Sequence, residues 1–121
     1  MKKRIVMVSA IIMVFVAFAG CGRTANDSIT VISREDGSGT RGAFIELFKI
    51  EEKDTNGNKV DYTTEDADIT NSTSVMMTSV AGNAKAIGYI SLGSLNDSVK
   101  AVMIDGAEAT VENIKSGAYK V

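Results

Sequence analysis

A chain of 121 residues, 45% apolar and 23% charged, has room for one modest globular unit and one core. Its formal net charge is −2, and with Lys2, Lys3 and Arg4 of the N-terminal segment set aside, 10 basic residues face 15 acidic ones, a balance of −5. That balance argues against nucleic acid as a partner, which demands a basic face, and the lack of any histidine removes the usual general base and the commonest metal ligand.

The N-terminus reads as an export leader. Met1-Lys-Lys-Arg4 is a positive stretch, Ile5 to Phe18 is apolar apart from Ser9, and Phe18-Ala-Gly-Cys21 puts two small residues before the only cysteine. The run is short for a bilayer span. Ala19-Gly20-Cys21 resembles a bacterial lipobox, in which the cysteine becomes the first mature residue and carries lipid. The expectation is a signal peptide over 1–20, lipidation at Cys21 and a flexible tether over 21–28. The alternative is an uncleaved hydrophobic anchor with a free or buried thiol. A lone cysteine excludes an internal disulfide.

Order is expected from Ile29. Ile29 to Ser33 alternates β-branched and small polar residues, as a strand does, and hands over to the loop Arg34 to Gly39. From Thr40 to about Ile50 the positions Ala43, Phe44, Leu47 and Phe48 have the spacing of a helix with one buried face. Glu51 to Asn58 reads as a solvated connection with an Asn-Gly turn, leading to an extended piece near Val60 to Thr64. Asp54, Asn56 and Asn58 do not make a calcium loop, because the glycine and bidentate glutamate that such a loop needs are not at the right offsets. Asn71 to Ser74 caps a second helix that ends at Gly82-Asn83. Ala86 to Ser91 is a predicted strand, Leu92 to Asn96 a turn, and Val99 to Ile104 another strand closed by Asp105-Gly106. Thr110 caps a short helix over Val111 to Lys115, stopped by Ser116-Gly117, and Ala118 to Val121 is an incipient strand. Met76, Met77 and Met103 are expected in the core. Strands alternating with helices imply an α/β unit with mainly parallel pairing.

The loop carries the chemistry. Between Arg34 and Arg41 lie a guanidinium, carboxylates, hydroxyls and glycine amides at a helix start, where backbone N–H groups have no intrahelical partner and the dipole favours negative charge. An oxyanion can be held there without a large positive charge. A nucleotide P-loop would need Gly-Lys-Ser/Thr, and the chain has Gly39-Thr-Arg41. A hydrolase built on Ser38 would lack a histidine base. No catalytic, cofactor-binding or metal-binding residue is assigned, and the chain is not expected to be an enzyme.

Arg34-Glu-Asp-Gly-Ser-Gly-Thr-Arg-Gly-Ala-Phe44, followed by Asn71-Ser-Thr-Ser-Val-Met-Met77 and Ala86-Ile-Gly-Tyr-Ile-Ser-Leu-Gly93, resembles the second lobe of the phosphate-binding lipoprotein of Pst-type high-affinity phosphate ABC transporters. The resemblance covers 29–121 and finds no counterpart of the first lobe. It implies a single lobe of a type II periplasmic-binding-protein-like α/β fold, with a mostly parallel sheet flanked by helices. It also implies inorganic phosphate as ligand, a Pst-type permease as partner, and a lipid-anchored place on the extracytoplasmic face of the cell membrane. Carried over by matching residues, the phosphate-contacting set is Arg34, Asp36, Ser38, Gly39 and Thr40, with Glu35 at a variable position.

Asp36 has a chemical rationale in that set. A carboxylate beside an anion repels it unless it accepts a proton that the ligand carries; hydrogen phosphate has one and sulfate does not, so a buried unpaired acceptor would penalise sulfate by about 1 kcal/mol or more. Otherwise Asp36 is a turn residue paired with Arg34 in the empty loop. Arg41 either supports Asp36, supports the ligand, or covers the first helical turn. Two functions follow: a lipid-anchored phosphate-binding module for transporter uptake, or a tethered structural or interaction lipoprotein, truncated or rearranged, without useful phosphate affinity.

Overall fold

The computed structural model describes residues 28–120; the expected leader, Cys21 and tether residues 22–27 lie outside the described residues. In chain order the elements are β1 (Thr30–Arg34), α1 (Gly39–Leu47), β2 (Glu51–Lys53), β3 (Lys59–Asp61), β4 (Asp68–Thr70), α2 (Thr73–Gly82), β5 (Ala86–Ile87), a 3₁₀ turn (Leu92–Ser94) and α3 (Val111–Ser116).

β1 is the middle strand of a parallel sheet ordered β4-β1-β5. Arg34 stands opposite Thr70 on one side, and Val31 opposite Ile87 on the other. The crossover from β1 to β4 runs one way and that from β4 to β5 the other, so right-handed crossovers place α1 and α2 on opposite faces. Burial agrees: Ile32 and Ser33, consecutive residues that point to opposite faces, are both buried. Ile45 from α1 and Met76 from α2 complete the buried apolar set among the described residues. Met76 and Val80 lie directly over Gly88, where a Cβ would approach Met76 Sδ closer than 3.0 Å, Val80 Cγ2 at 3.4 Å and the Ile32 carbonyl at 3.5 Å. The missing side chain at 88 lets α2 sit down on the sheet.

The fold is α/β with a mostly parallel sheet flanked by helices, as read from the sequence, but several local expectations change. α1 stops at Leu47 rather than near Ile50: Lys49 takes a left-handed conformation (φ 54°) and the Ile50 N–H returns to the Ile45 carbonyl at 2.8 Å, a Schellman closure. Its inward positions are Arg41, Phe44 and Ile45, while Ala43, Leu47 and Phe48 of the expected face are exposed. Glu51 to Lys53, read as loop, forms an antiparallel ladder with Lys59 to Asp61, and the Asn56-Gly57 turn joins the two. β4 has a single strongly apolar residue in three and gave no periodic signal; its pairing with β1 makes it a strand. The strand expected over Ala86 to Ser91 shortens to Ala86–Ile87. Val99 to Ile104 and Ala118 to Lys120 form no strand, since neither finds a neighbour beyond the single Ile104–Ala107 bridge. Met103 is correspondingly exposed and Met77 half-buried, so of the three methionines only Met76 is core.

Candidate functional site

The C-terminal end of a parallel sheet, where neighbouring strands send their chains to opposite faces, leaves a crevice between the two departing loops. Here that place lies between β1 and β4, and Arg34 is the last residue of β1. Glu35 to Ser38 then form a tight turn, with the Ser38 N–H donating to the Glu35 carbonyl at 3.2 Å. Gly37 has φ 85°, a left-handed conformation that a β-carbon would strain. Ser38 caps α1, its Oγ accepting from the Arg41 N–H at 3.3 Å. That leaves the Ser38 hydroxyl proton free to donate. Among the described residues the N–H groups of Gly39 and Thr40, in the first turn of α1, donate to no protein acceptor.

Arg34 is largely buried, its side chain 12% exposed, and it is held by three contacts. Nε donates to Glu35 Oε2 at 2.9 Å, Nη2 to Glu35 Oε1 at 3.1 Å, and Nη1 to Thr73 Oγ1 at 3.3 Å. A guanidinium has five N–H donors, so the edge toward Nε is taken and one donor on each Nη remains. Donation to both Glu35 oxygens holds that carboxyl below its ordinary value, and the same hydrogen bonds push Arg34 higher. Thr73 begins α2, so Arg34 joins the loop after β1 to the helix start after β4.

Asp36 is not the buried acceptor expected of it. Its side chain is 95% exposed, and Oδ1 pairs with Arg41 Nη1 at 3.1 Å. Arg34 takes Glu35 instead, the neighbour assigned to a variable position. Of the roles open to Arg41, the geometry has it supporting Asp36. Its other terminal nitrogen pairs with Asp61 of β3, which ties the β2–β3 hairpin to the loop. The Thr63 hydroxyl, and secondarily Arg41, hold Asp61 below the usual carboxylate range.

The sequence reading also missed Tyr89. Its hydroxyl accepts from the Arg34 backbone N–H at 2.9 Å and shares a hydrogen bond with Ser33 Oγ at 2.8 Å, while its ring stacks on Phe44 of α1 at 4.0 Å and 8°. Glu35, Thr73 and Tyr89 lie within the stretches that carry the resemblance and Asp61 lies outside them, but the role of each depends on a contact made only in the fold: Glu35 and Thr73 with the Arg34 side chain, Asp61 with Arg41, and Tyr89 with the Arg34 backbone. Among the described residues no cluster of His, Cys, Asp and Glu is arranged to hold a metal, and no helix is long and apolar enough to cross a membrane. Asp54 closes on its own turn, accepting from the Asn56 and Asn58 N–H groups at 2.8 Å each.

No protein-family profile matches the chain. It is 59% identical over 107 residues to the phosphate-binding protein PstS 2 of Streptococcus agalactiae serotype V, a match covering 85% of this chain and 36% of that protein. Among solved structures it is similar to a phosphate ABC transporter phosphate-binding protein from Streptococcus pneumoniae TIGR4, at 54% identity and a TM-score of 0.73 over 77% of this chain and 36% of that one. It is also similar to a phosphate ABC transporter substrate-binding protein from Clostridium perfringens, solved with bound phosphate, at 45% identity and a TM-score of 0.65 over 77% of this chain and 35% of that one. By sequence and by fold the chain is PstS-like, and it spans little more than a third of the length of the PstS proteins it matches.

Proposed function

We propose that this chain binds inorganic phosphate through Arg34, Asp36, Ser38, Gly39 and Thr40, as an extracytoplasmic component working with a Pst-type ABC permease and tethered to the cell membrane through lipid on Cys21. The observation that carries the reading is the pairing of a fixed guanidinium with open helix-start donors. Arg34 keeps one N–H on each terminal nitrogen, and the first turn of α1 offers two N–H groups and the Ser38 and Thr40 hydroxyls. Two charge-assisted bonds from Arg34 fix orientation, and the helix start supplies neutral donors to the remaining oxygens. The names of the relatives support phosphate as the anion and transport as the purpose. The leader pattern before Cys21 supports the anchor.

Asp36 enters this reading as a weak discriminator. Exposed and paired with Arg41, it imposes little desolvation on a ligand without a proton, so sulfate is disfavoured modestly.

Isothermal titration of the full chain in detergent, with phosphate and then sulfate, tests the proposal. Saturable heat at phosphate concentrations near 1 mM or below, about −4 kcal/mol or better, and weaker heat with sulfate are expected. Absence of heat at millimolar phosphate would sink the proposal and leave a tethered interaction protein as the reading. For the anchor, metabolic labelling with palmitate is expected to tag the parent chain and not Cys21→Ser; a parent chain without label, or equal label in Cys21→Ser, refutes lipidation at that residue.

A further inference from the structure

We infer that Tyr89 is a positioning residue for the anion site: its hydroxyl fixes the end of β1, and through it the place from which Arg34 reaches the ligand. The inference rests on the phosphate reading of the Arg34–Thr40 loop.

β5 pairs with β1 only at Ala86 and Ile87, opposite Thr30 and Val31. Beyond Ile87 the ladder between β5 and β1 ends, with Gly88 lying beneath Met76 and beside the Ile32 carbonyl. The Arg34 N–H would then face an unpaired edge just where the site begins. Tyr89 supplies the acceptor. Its hydroxyl lies 2.9 Å from the Arg34 nitrogen and 2.8 Å from Ser33 Oγ, a side chain with 1% exposure.

The ring that carries this hydroxyl is itself held. It stacks on Phe44, one helical turn into α1. A single side chain thus touches both parts of the proposed site: the strand end that bears Arg34, and the helix whose first turn bears Gly39 and Thr40. Hydrogen bonds lose their strength steeply beyond a few tenths of an ångström or a few tens of degrees. A device that locks the strand end to the helix therefore sets affinity without touching the anion. Ser33 shares the hydroxyl, bears no ligand group and reaches the Arg34 backbone only through a long 3.4 Å bond to its carbonyl, which makes it the internal control.

Tyr89→Phe keeps the stacked ring and removes only the hydroxyl; Ser33→Ala removes the other partner and leaves the bond to Arg34. Two readouts apply to the full chain. The first is hydrogen exchange at the Arg34 amide, which needs no ligand; Tyr89→Phe is expected to speed it about tenfold or more relative to neighbouring β1 amides, and Ser33→Ala to change it less than threefold. The second is phosphate titration. Tyr89→Phe is expected to weaken phosphate about tenfold, and Ser33→Ala less than threefold. Circular dichroism and the exchange of α2 amides report whether the variants are folded. An unchanged Arg34 amide in folded Tyr89→Phe, or a lost amide with phosphate affinity intact, overturns the inference. A parent chain that binds no phosphate overturns the phosphate reading instead, and the Arg34 amide alone then decides whether the hydroxyl anchors the strand.

Discussion

Gly88→Ala is the sharpest test of how α2 is seated. A β-carbon there would lie closer than 3.0 Å to Met76 Sδ, with Val80 Cγ2 at 3.4 Å and the Ile32 carbonyl at 3.5 Å. The Ile32 carbonyl and Val80 sit at ordinary contact distance, so the clash is with Met76, which at 1% exposure is packed on all sides. The helix must therefore rise or the methionine leave its rotamer, and overpacking of this kind costs about 1–3 kcal/mol. In a unit of 60–100 residues each kcal/mol moves Tm by about 4–8 °C, so Gly88→Ala is expected to lower Tm by about 5–15 °C in a thermal melt followed by circular dichroism. Shortening the obstacle should relieve it. In a Met76→Val background, where Sδ is gone, the same change should cost less than about 0.5 kcal/mol, and the double-mutant cycle then isolates the clash as a coupling. A Tm for Gly88→Ala equal to the parent, or the same loss in both backgrounds, refutes the packing argument. Because α2 begins with Thr73, which holds Arg34, phosphate affinity should fall along with Tm.

Arg34→Lys keeps the charge and discards the fork; with one charge-assisted bond worth about 1.5–3 kcal/mol, phosphate affinity is expected to drop about 10- to 100-fold by titration, and a drop under threefold contradicts a bidentate role. Arg41→Ala should release Asp36 to the ligand's neighbourhood and weaken phosphate, whereas Arg41→Ala with Asp36→Asn should recover much of the loss; equal affinity in the single and double variants would break that link. Glu35 is held below its ordinary pKa of 4.5, chiefly by the hydrogen bond from Arg34. Its contribution to stability is complete above the unfolded value and lost as pH falls through the lower folded one. Melts between pH 6 and about pH 2 should show a loss of Tm below pH 4.5 that is smaller in Glu35→Gln, and parallel curves for the two proteins count against the pair.

Much of the fold could be read from residues with a local cause. Two caps were legible because a hydroxyl at a helix start has one job: Thr110 stands where the pattern placed it and Ser72 lies within the predicted capping stretch, whereas Ser38, read only as a ligand donor, also caps α1. The strand-to-helix loop was legible for the same reason. What depended on distant partners was not. β4 exists because β1 lies beside it, and Val99 to Ile104, with the composition of a strand, finds no neighbour beyond the single Ile104–Ala107 bridge. The site followed the same rule. Arg34 ends β1 and Ser38, Gly39 and Thr40 open α1, so the strand-to-helix setting of the motif was legible, but the partners of its charges came out differently. Glu35 rather than Asp36 pairs with Arg34, since adjacent geometry at the strand end brings Glu35 onto the guanidinium edge while Arg41 draws Asp36 the other way.

The exposed turn from Asp54 to Asn58 divides the chain in a telling way. On one side of it lie β1, α1 and β2; on the other lie β3, β4, α2 and β5. Since β1 fits between β4 and β5, the sheet interleaves the two halves, and neither half alone can build it. A cut between Asn56 and Gly57 would therefore leave two peptides that must find each other to make either the sheet or the Arg34–Thr73 contact. Their reassembly would be bimolecular, dependent on peptide concentration, and the recovered anion site would serve as its own reporter.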